Sequence, residues 1–308
     1  MSELVTTFKG LEWEEIKVED ALELFIRKQK IRNLAPDTIT YYTENLNKFI
    51  EFIGNKTVYE IKPIDIDNYV ETLINRELKP VTINTKLRSI RAFLYWCMSN
   101  NYMPSYKISA VKQDEEVPDT YTNKELLRLL KKPKSNTWTE LRTWAFINFA
   151  VGTGCRLSSI LEVRVGDLDF NNKLITIRHA KARKQLILPM SDSLADAMHF
   201  YLKFWNAEEK DVLFCNSKKE RLARTTIEQD VRKYNIGRGV MRTSIHSFRH
   251  SFARNYIKAG GDVVKLQRLL GHSNIQITMK YVKLYGNDLS NGYENLNPLT
   301  NILNKKLE

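Results

Sequence analysis

Cysteine is scarce: three residues in 308, none in a C-x-x-C pair. A disulfide framework is excluded, and a reducing compartment is the expected setting. Twelve glycines and eight prolines are too few for a collagenous or low-complexity chain. No long uncharged apolar run occurs and mean hydropathy is −0.41, which argues against a membrane-spanning helix. The opening MSELVTTFKGLEWEE turns acidic where a secretory leader would be apolar. There is no internal repeat. There is also no carboxylate cluster with metal-ligand spacing, so a two-metal nuclease is disfavoured and no metal site is expected. These shortages point to a soluble, cytoplasmic protein.

The chain does have enough apolar residues, 43%, to build packed cores. Its length suggests two domains of roughly 150 residues each. It also has a large and uneven positive charge. The formal net charge is +12, but residues 1–120 carry 16 basic and 19 acidic side chains, whereas residues 121–308 carry 32 and 17. Between Lys218 and Lys283 the balance is 15 basic to 4 acidic. A basic half implies a polyanionic partner, nucleic acid before an anionic membrane.

Residues 17–106 read as a run of amphipathic helices. Pro36 and Asp37 open one, with Ile39, Tyr42, Leu46, Phe49, Ile50 and Ile53 along one stripe. Pro63 opens the next, with Ile66, Tyr69, Val70 and Leu73 on its face. A third, from about Val81 to Ser99, carries Lys86, Arg88 and Arg91 among its apolar positions. These three cations either solvate an exposed face or touch a DNA backbone. Residues 107–121 break the periodicity with an acidic cluster and Pro118, and read as a linker after a 1–16 extension. Thr122 to Glu125 is a capping-box pattern that starts a second domain, 122–285, before a tail at 286–308. That domain reads as helical except for short β-patterned stretches at 168–170, 174–177 and 186–188.

Three segments carry chemistry. Gly152 to Ser158 lacks the third glycine of a dinucleotide loop but places Arg156 at a helix junction. His246 and Arg249 are three apart, so a helix projects both from one face. Gly271 and His272 are followed, nine residues after the histidine, by Tyr281. Two arginines, two histidines and a tyrosine in a basic domain suit attack on a phosphodiester. Guanidinium groups stabilise the five-coordinate transition state, imidazoles move protons, and a phenol can form a covalent ester.

Taken in order, these segments resemble those of the tyrosine recombinases, including Xer-type enzymes and the integrases of phages and mobile elements. The resemblance covers almost the whole chain. It implies a mainly α fold with a small antiparallel β-sheet, in which two domains clamp DNA. It also implies catalytic roles for Arg156, Lys181, His246, Arg249, His272 and Tyr281. The lysine of this family lies in a β-hairpin, here His179 to Gln185, where Lys181 matches by position and Lys184 is the second choice. Relatives commonly flank that lysine with glycines; here Ala180 and Ala182 stand there. Ser159 stands where relatives often carry Glu. Lys86, Arg88, Arg91, Arg183 and Lys184 are expected DNA contacts.

By resemblance, Tyr281 forms a 3′-phosphotyrosyl link, Lys181 protonates the departing 5′ oxygen, and exchange passes through a Holliday junction without ATP, metal or other cofactor. The implied partners are double-stranded DNA with inverted-repeat sites and further copies of the chain in a homotetramer, with no membrane. The implied location is the nucleoid. Integration, excision, dimer resolution and inversion all remain open as the task. Tyr285, four residues on, is the rival nucleophile. The rival functions are a type IB topoisomerase-like enzyme and a non-catalytic DNA-binding regulator. Cys155 and Cys97 read as buried small hydrophobes, and His250 as a residue that orients Arg249 or packs behind it.

Overall fold

Proline sets the helix starts of the first unit. Pro36, Pro63 and Pro80 each stand at a helix N-terminus, where a missing N–H costs no intrahelical bond and φ is already right. The computed structural model describes residues 15–114, 117–134, 137–178, 185–285 and 297–304. It divides into two compact units, residues 1–115 and 116–308. The first contains α1 (Val18–Ile31), α2 (Pro36–Ile53), α3 (Pro63–Asn75) and α4 (Pro80–Ser99). Their apolar stripes meet as the spacing requires. Leu46, Phe49 and Ile53 of α2, Ile66 and Leu73 of α3, and Ile83, Leu87, Ile90 and Leu94 of α4 are buried in one core. Phe25 of α1 sits edge-on to Phe93 and to Tyr42, each at 5.6 Å.

The 107–121 stretch is tied at both ends. Ile108 is buried in the first core, and the Asn84 side chain both accepts from the Val111 N–H and donates to its carbonyl, at 2.8 Å each. In the second unit Tyr121 is wholly buried and stacked on Phe248 at 4.3 Å.

The second unit opens with α5 (Asn123–Leu130). The Thr122 hydroxyl accepts from the Glu125 N–H, and the Glu125 carboxylate accepts from the Thr122 N–H, so the capping box forms. Next comes α6 (Trp138–Thr153), buried on nearly all sides as its continuous apolar sequence demands. The one-turn α7 (Leu157–Ile160) follows; it is too short to leave a period in the sequence. Strands β1 (Leu168–Asp169), β2 (Leu174–Ile177) and β3 (Leu186–Pro189) form an antiparallel sheet in that order, with Ile175 opposite Leu188. The remaining helices are α8 (Asp192–Leu202), α9 (Arg224–Gly237), α10 (Ile245–Lys258), α11 (Val263–Leu270), α12 (Ile275–Tyr285) and α13 (Pro298–Asn304). The expected class, mainly α with a small antiparallel sheet, is the one observed. Among the described residues no helix is long and apolar enough to cross a membrane.

One buried ion pair crosses this unit. Arg142 of α6 donates to the Cys215 carbonyl at 2.8 Å and to the Asp230 carboxylate of α9 at 2.6 Å. Removing one partner of such a pair strands the other charge in the interior. Arg142→Ala is expected to destabilise the protein by about 3–5 kcal/mol, read as a lowered midpoint of urea unfolding.

Candidate active site

The site forms where three helix ends meet. Helix α6 stops at Gly154, whose φ of +65° is left-handed; a Cβ there would come within 2.5 Å of the Phe252 ring, so only glycine fits. Helix α11 stops the same way at Gly271, φ +61°. Each stop leaves backbone carbonyls without helical partners, at the negative end of a helix dipole. Arg249 of α10 takes up one from each helix end. Its Nη1 donates to the Gly154 carbonyl at 2.9 Å and its Nη2 to the Leu270 carbonyl at 2.7 Å. The side chain is buried, and burial together with the neighbouring Arg156 charge pulls the guanidinium down to about 10.

Arg156 follows two residues after Gly154, at the N-cap of α7, and is half-buried. Burial lowers its guanidinium too, opposed by Cys155 and the Tyr281 hydroxyl. Among the described residues no ion pair joins Arg156 or Arg249 to a carboxylate. The two cations thus lie close together without a counter-charge, an arrangement suited to an anion.

Three imidazoles surround them. His246, in the first turn of α10, is the exposed member; loss of part of its water shell, then the charges of Arg249, Arg156 and Arg224, lower its pKa. His272 follows Gly271 and is buried, its Nδ1 2.9 Å from the Thr278 hydroxyl. Burial, Arg249, Arg156 and His250 hold it at about 4. His250 lies one turn along α10 from His246, the rings 4.4 Å apart and edge-on. Its Nδ1 is 2.6 Å from the Tyr281 hydroxyl oxygen. It is not a partner of Arg249, whose bonds go to the two carbonyls. The i, i+4 spacing from His246 was the one signal in the sequence that could have placed it on this face.

Tyr281 of α12 is 4% exposed. Burial raises its hydroxyl pKa, with Arg249 and Arg156 pulling the other way. Tyr285 is directed elsewhere, its hydroxyl 3.5 Å from the Pro118 carbonyl. Cys155 is buried and its thiol is pushed up by burial, unlike an activated nucleophile. A cleft of about 510 Å³ opens beside His246, lined by Arg224, Gln229 and Arg232 of α9 and by Leu157.

Five expected catalytic residues, Arg156, His246, Arg249, His272 and Tyr281, therefore come together. Lys181, Arg183 and Lys184 lie outside the described residues; Leu186, at the start of β3, lies where a Cβ on Gly271 would meet its side chain at 3.6 Å. In the first unit, Arg88 and Arg91 line one cleft of about 470 Å³ with Tyr95 and Gln113. Lys86 is on another side of α4, half-buried, in a cationic group with Lys48 and Arg76.

Residues 120–287, more than half the chain, match the Phage integrase family. The chain belongs to that family. Residues 22–103 match the phage integrase N-terminal SAM-like domain. Relatives of this integrase-family chain include the tyrosine recombinase XerC of Psychromonas ingrahamii, 27% identical over 279 residues, 87% of this chain and 92% of that protein. The tyrosine recombinase XerD of Oceanobacillus iheyensis is 27% identical over 298 residues, 91% and 99% of the two chains. The fold is shared with XerH site-specific recombinase bound to palindromic difH substrate, TM-score 0.68 at 22% identity over 86% of this chain and 82% of that one. It is shared too with a lambda integrase dimer bound to a COC′ core site, TM-score 0.68 at 16% identity over 85% and 97%.

The depressed histidines make stability pH-dependent. His250 and His272 titrate at about 4 in the folded protein against 6.5 in the free side chain. Below 6.5 the unfolded chain takes up these protons and the folded chain does not, until about 4 is reached. Their contribution is therefore full above 6.5 and is lost as pH falls towards 4. Thermal unfolding should show a midpoint that starts to fall near pH 6.5, with a shallower slope between about 6.5 and 5 in His272→Gln. An equal slope in the two proteins would contradict this.

Proposed function

We propose that this integrase-family protein is a site-specific tyrosine recombinase of double-stranded DNA, with Tyr281 as nucleophile. One observation carries the assignment: a phenol packed beside two arginines that have no carboxylate partner among the described residues. A scissile phosphate supplies the missing anion. Arg156 and Arg249 hold its non-bridging oxygens and stabilise the charge of the transition state. Tyr281 attacks phosphorus and forms the 3′-phosphotyrosyl ester, while the 5′ oxygen leaves with a proton from Lys181. His246 and His272 complete the pocket around the phosphate. A 5′-hydroxyl from a partner strand then attacks the ester, giving a Holliday junction that a second round resolves. The ester conserves the energy of the broken bond, so the cycle runs without ATP.

The 17–106 helices grip one side of the duplex, with Lys86, Arg88 and Arg91 against phosphates, and the hairpin residues Arg183 and Lys184 contribute from the 122–285 domain. Because Tyr281 is covered in the free protein, DNA engagement has to expose its hydroxyl. Recombination, as opposed to relaxation by a monomer, is supported by α13, which presents Leu299 at 64% and Ile302 at 59% exposure. A seven-residue helix is marginal alone and needs a partner surface for such a face. A neighbouring subunit of a homotetramer on inverted-repeat sites supplies it.

Tyr281→Phe is expected to bind DNA with unchanged affinity and to form no denaturant-resistant protein–DNA adduct, whereas Tyr285→Phe retains the adduct. The reverse pattern would move the nucleophile to Tyr285. Truncation after Asn287 is expected to leave single-site binding intact and to abolish paired-site assembly and strand exchange, read by native gel mobility on two-site DNA. Intact tetramers of the truncated protein would refute the docking role of the tail.

A further inference from the structure

Proton transfer from the nucleophile needs an acceptor, and the residue in contact with the Tyr281 oxygen is His250. We infer that His250 is the catalytic base that takes the Tyr281 proton during attack, its Nδ1 lying 2.6 Å from the phenol oxygen. The inference rests on the reading of Tyr281 as the nucleophile. It assigns the nucleophile's proton to a residue outside the set Arg156, Lys181, His246, Arg249, His272 and Tyr281.

The direction of the bond follows from the two environments. Burial raises the phenol, which stays protonated and donates. Burial, then His246 and Arg249, hold the imidazole at about 4, so at neutral pH it is uncharged and accepts. With Nδ1 accepting, the ring proton is on Nε2. His246 meets the His250 ring edge-on and has no bond to the phenol among the described residues. His272 is committed at Nδ1 to Thr278. Among the described residues, the charged and titratable groups facing His250 are His246 and Arg249 on its own helix, Tyr281 on α12, and His272 at the turn before α12.

A base that titrates near 4 is weak, but part of that weakness is positive charge nearby. A phosphodiester bound to Arg156 and Arg249 neutralises that charge and raises the proton affinity of His250. The base therefore strengthens when substrate is in place. As the Tyr281 oxygen bonds to phosphorus, its proton passes to Nδ1 and the ring becomes imidazolium; the 5′ oxygen departs with a proton from the leaving-group side. In rejoining, the incoming 5′-hydroxyl loses its proton to that same side, and His250 returns its own to the departing phenol oxygen. Protons and charge balance over the cycle.

The test measures single-turnover adduct formation by full-length protein on duplex DNA from a relative's recombination site or a site mapped for this protein. His250→Asn keeps a polar group near Nδ1 but cannot take the proton. Adduct formation is expected to slow by about 10²-fold or more with DNA affinity unchanged, the size typical of a lost general base. A 5′-bridging phosphorothiolate, whose sulfur leaves without protonation, is expected not to restore the rate, and added imidazole is expected to restore part of it in His250→Ala. The rate of His250→Asn is also expected to climb with pH into the alkaline range, where the phenol ionises unaided.

Adduct formation by His250→Asn at the wild-type rate, or recovery on the phosphorothiolate, would overturn the inference and leave the recombinase reading standing. Absence of any adduct from the wild type on both kinds of DNA would overturn both. Should the His250 variants not fold, the histidine resonances of Tyr281→Phe decide. Loss of the donated hydrogen bond is expected to move the His250 titration upward, and an unchanged titration refutes the contact.

Discussion

The site depends on a single buried guanidinium. Arg249 sits at 4% exposure, bonded to the last carbonyls of two helices that approach from different parts of the chain. Burying a cation is costly unless its donors are satisfied and a compensating potential is present. The C-terminal ends of α6 and α11 supply both, since their unpaired carbonyls carry partial negative charge. The arrangement requires each helix to end abruptly at a residue that can adopt positive φ. Gly154 and Gly271 do this, and each is followed directly by a site segment: Cys155-Arg156 in one case, His272 in the other. One interaction thus fixes the positions of both arginines and one histidine. It also leaves Arg249 with its charge oriented but uncancelled, because backbone carbonyls orient a cation without neutralising it.

That uncancelled charge governs the rest of the pocket. Carboxylates beside the arginines would neutralise them and weaken their hold on an anion. Here the polar neighbours are imidazoles and a phenol, groups that can stay neutral next to a cation. Burial and the arginine charges keep His250 and His272 uncharged at neutral pH, at the cost of stability in mild acid. An anion entering this pocket meets preorganised donors and needs no reorganisation of protein charge, the condition under which electrostatic stabilisation of a transition state is largest.

Legibility in the sequence followed the range of the interaction. Prolines at helix starts, the Thr122–Glu125 capping box and the apolar stripes of α2 to α4 are local signals, and each element formed where its signal stood. The short sheet was readable from alternation in three stretches of four residues or fewer. The pairing of His246 with Arg249, and the nine-residue step from His272 to Tyr281, were readable because both are spacings along the chain. What could not be read was contact across it. Arg249 meets a carbonyl 95 residues away, and His250 meets a hydroxyl 31 residues away. No periodicity encodes either, and backbone acceptors leave no mark in composition. His250 therefore reads as a bystander in sequence although it touches the Tyr281 hydroxyl in space.

The same distinction changes the meaning of the basic segment from Lys218 to Lys283. Its 15 cations suggest an even coat of charge for DNA. Seven of them have partners within the protein, some of these at its surface. Lys219, Arg221, Arg224, Arg238 and Arg242 pair with carboxylates, Arg249 is held by carbonyls, and Arg254 bonds to Thr120 and the Tyr121 carbonyl. The five with carboxylate partners contribute less to the release of counterions that drives nucleic-acid binding, whereas Arg249 and Arg254, bonded to neutral groups, keep their charge. The electrostatic footprint is thus smaller than the formal charge, and more localised. Arg224, although paired with Glu228, sits with Arg232 on the wall of the cleft that opens at His246. Positive charge on that wall adds to the charge of Arg156 and Arg249, so an anion entering the cleft is drawn towards both arginines.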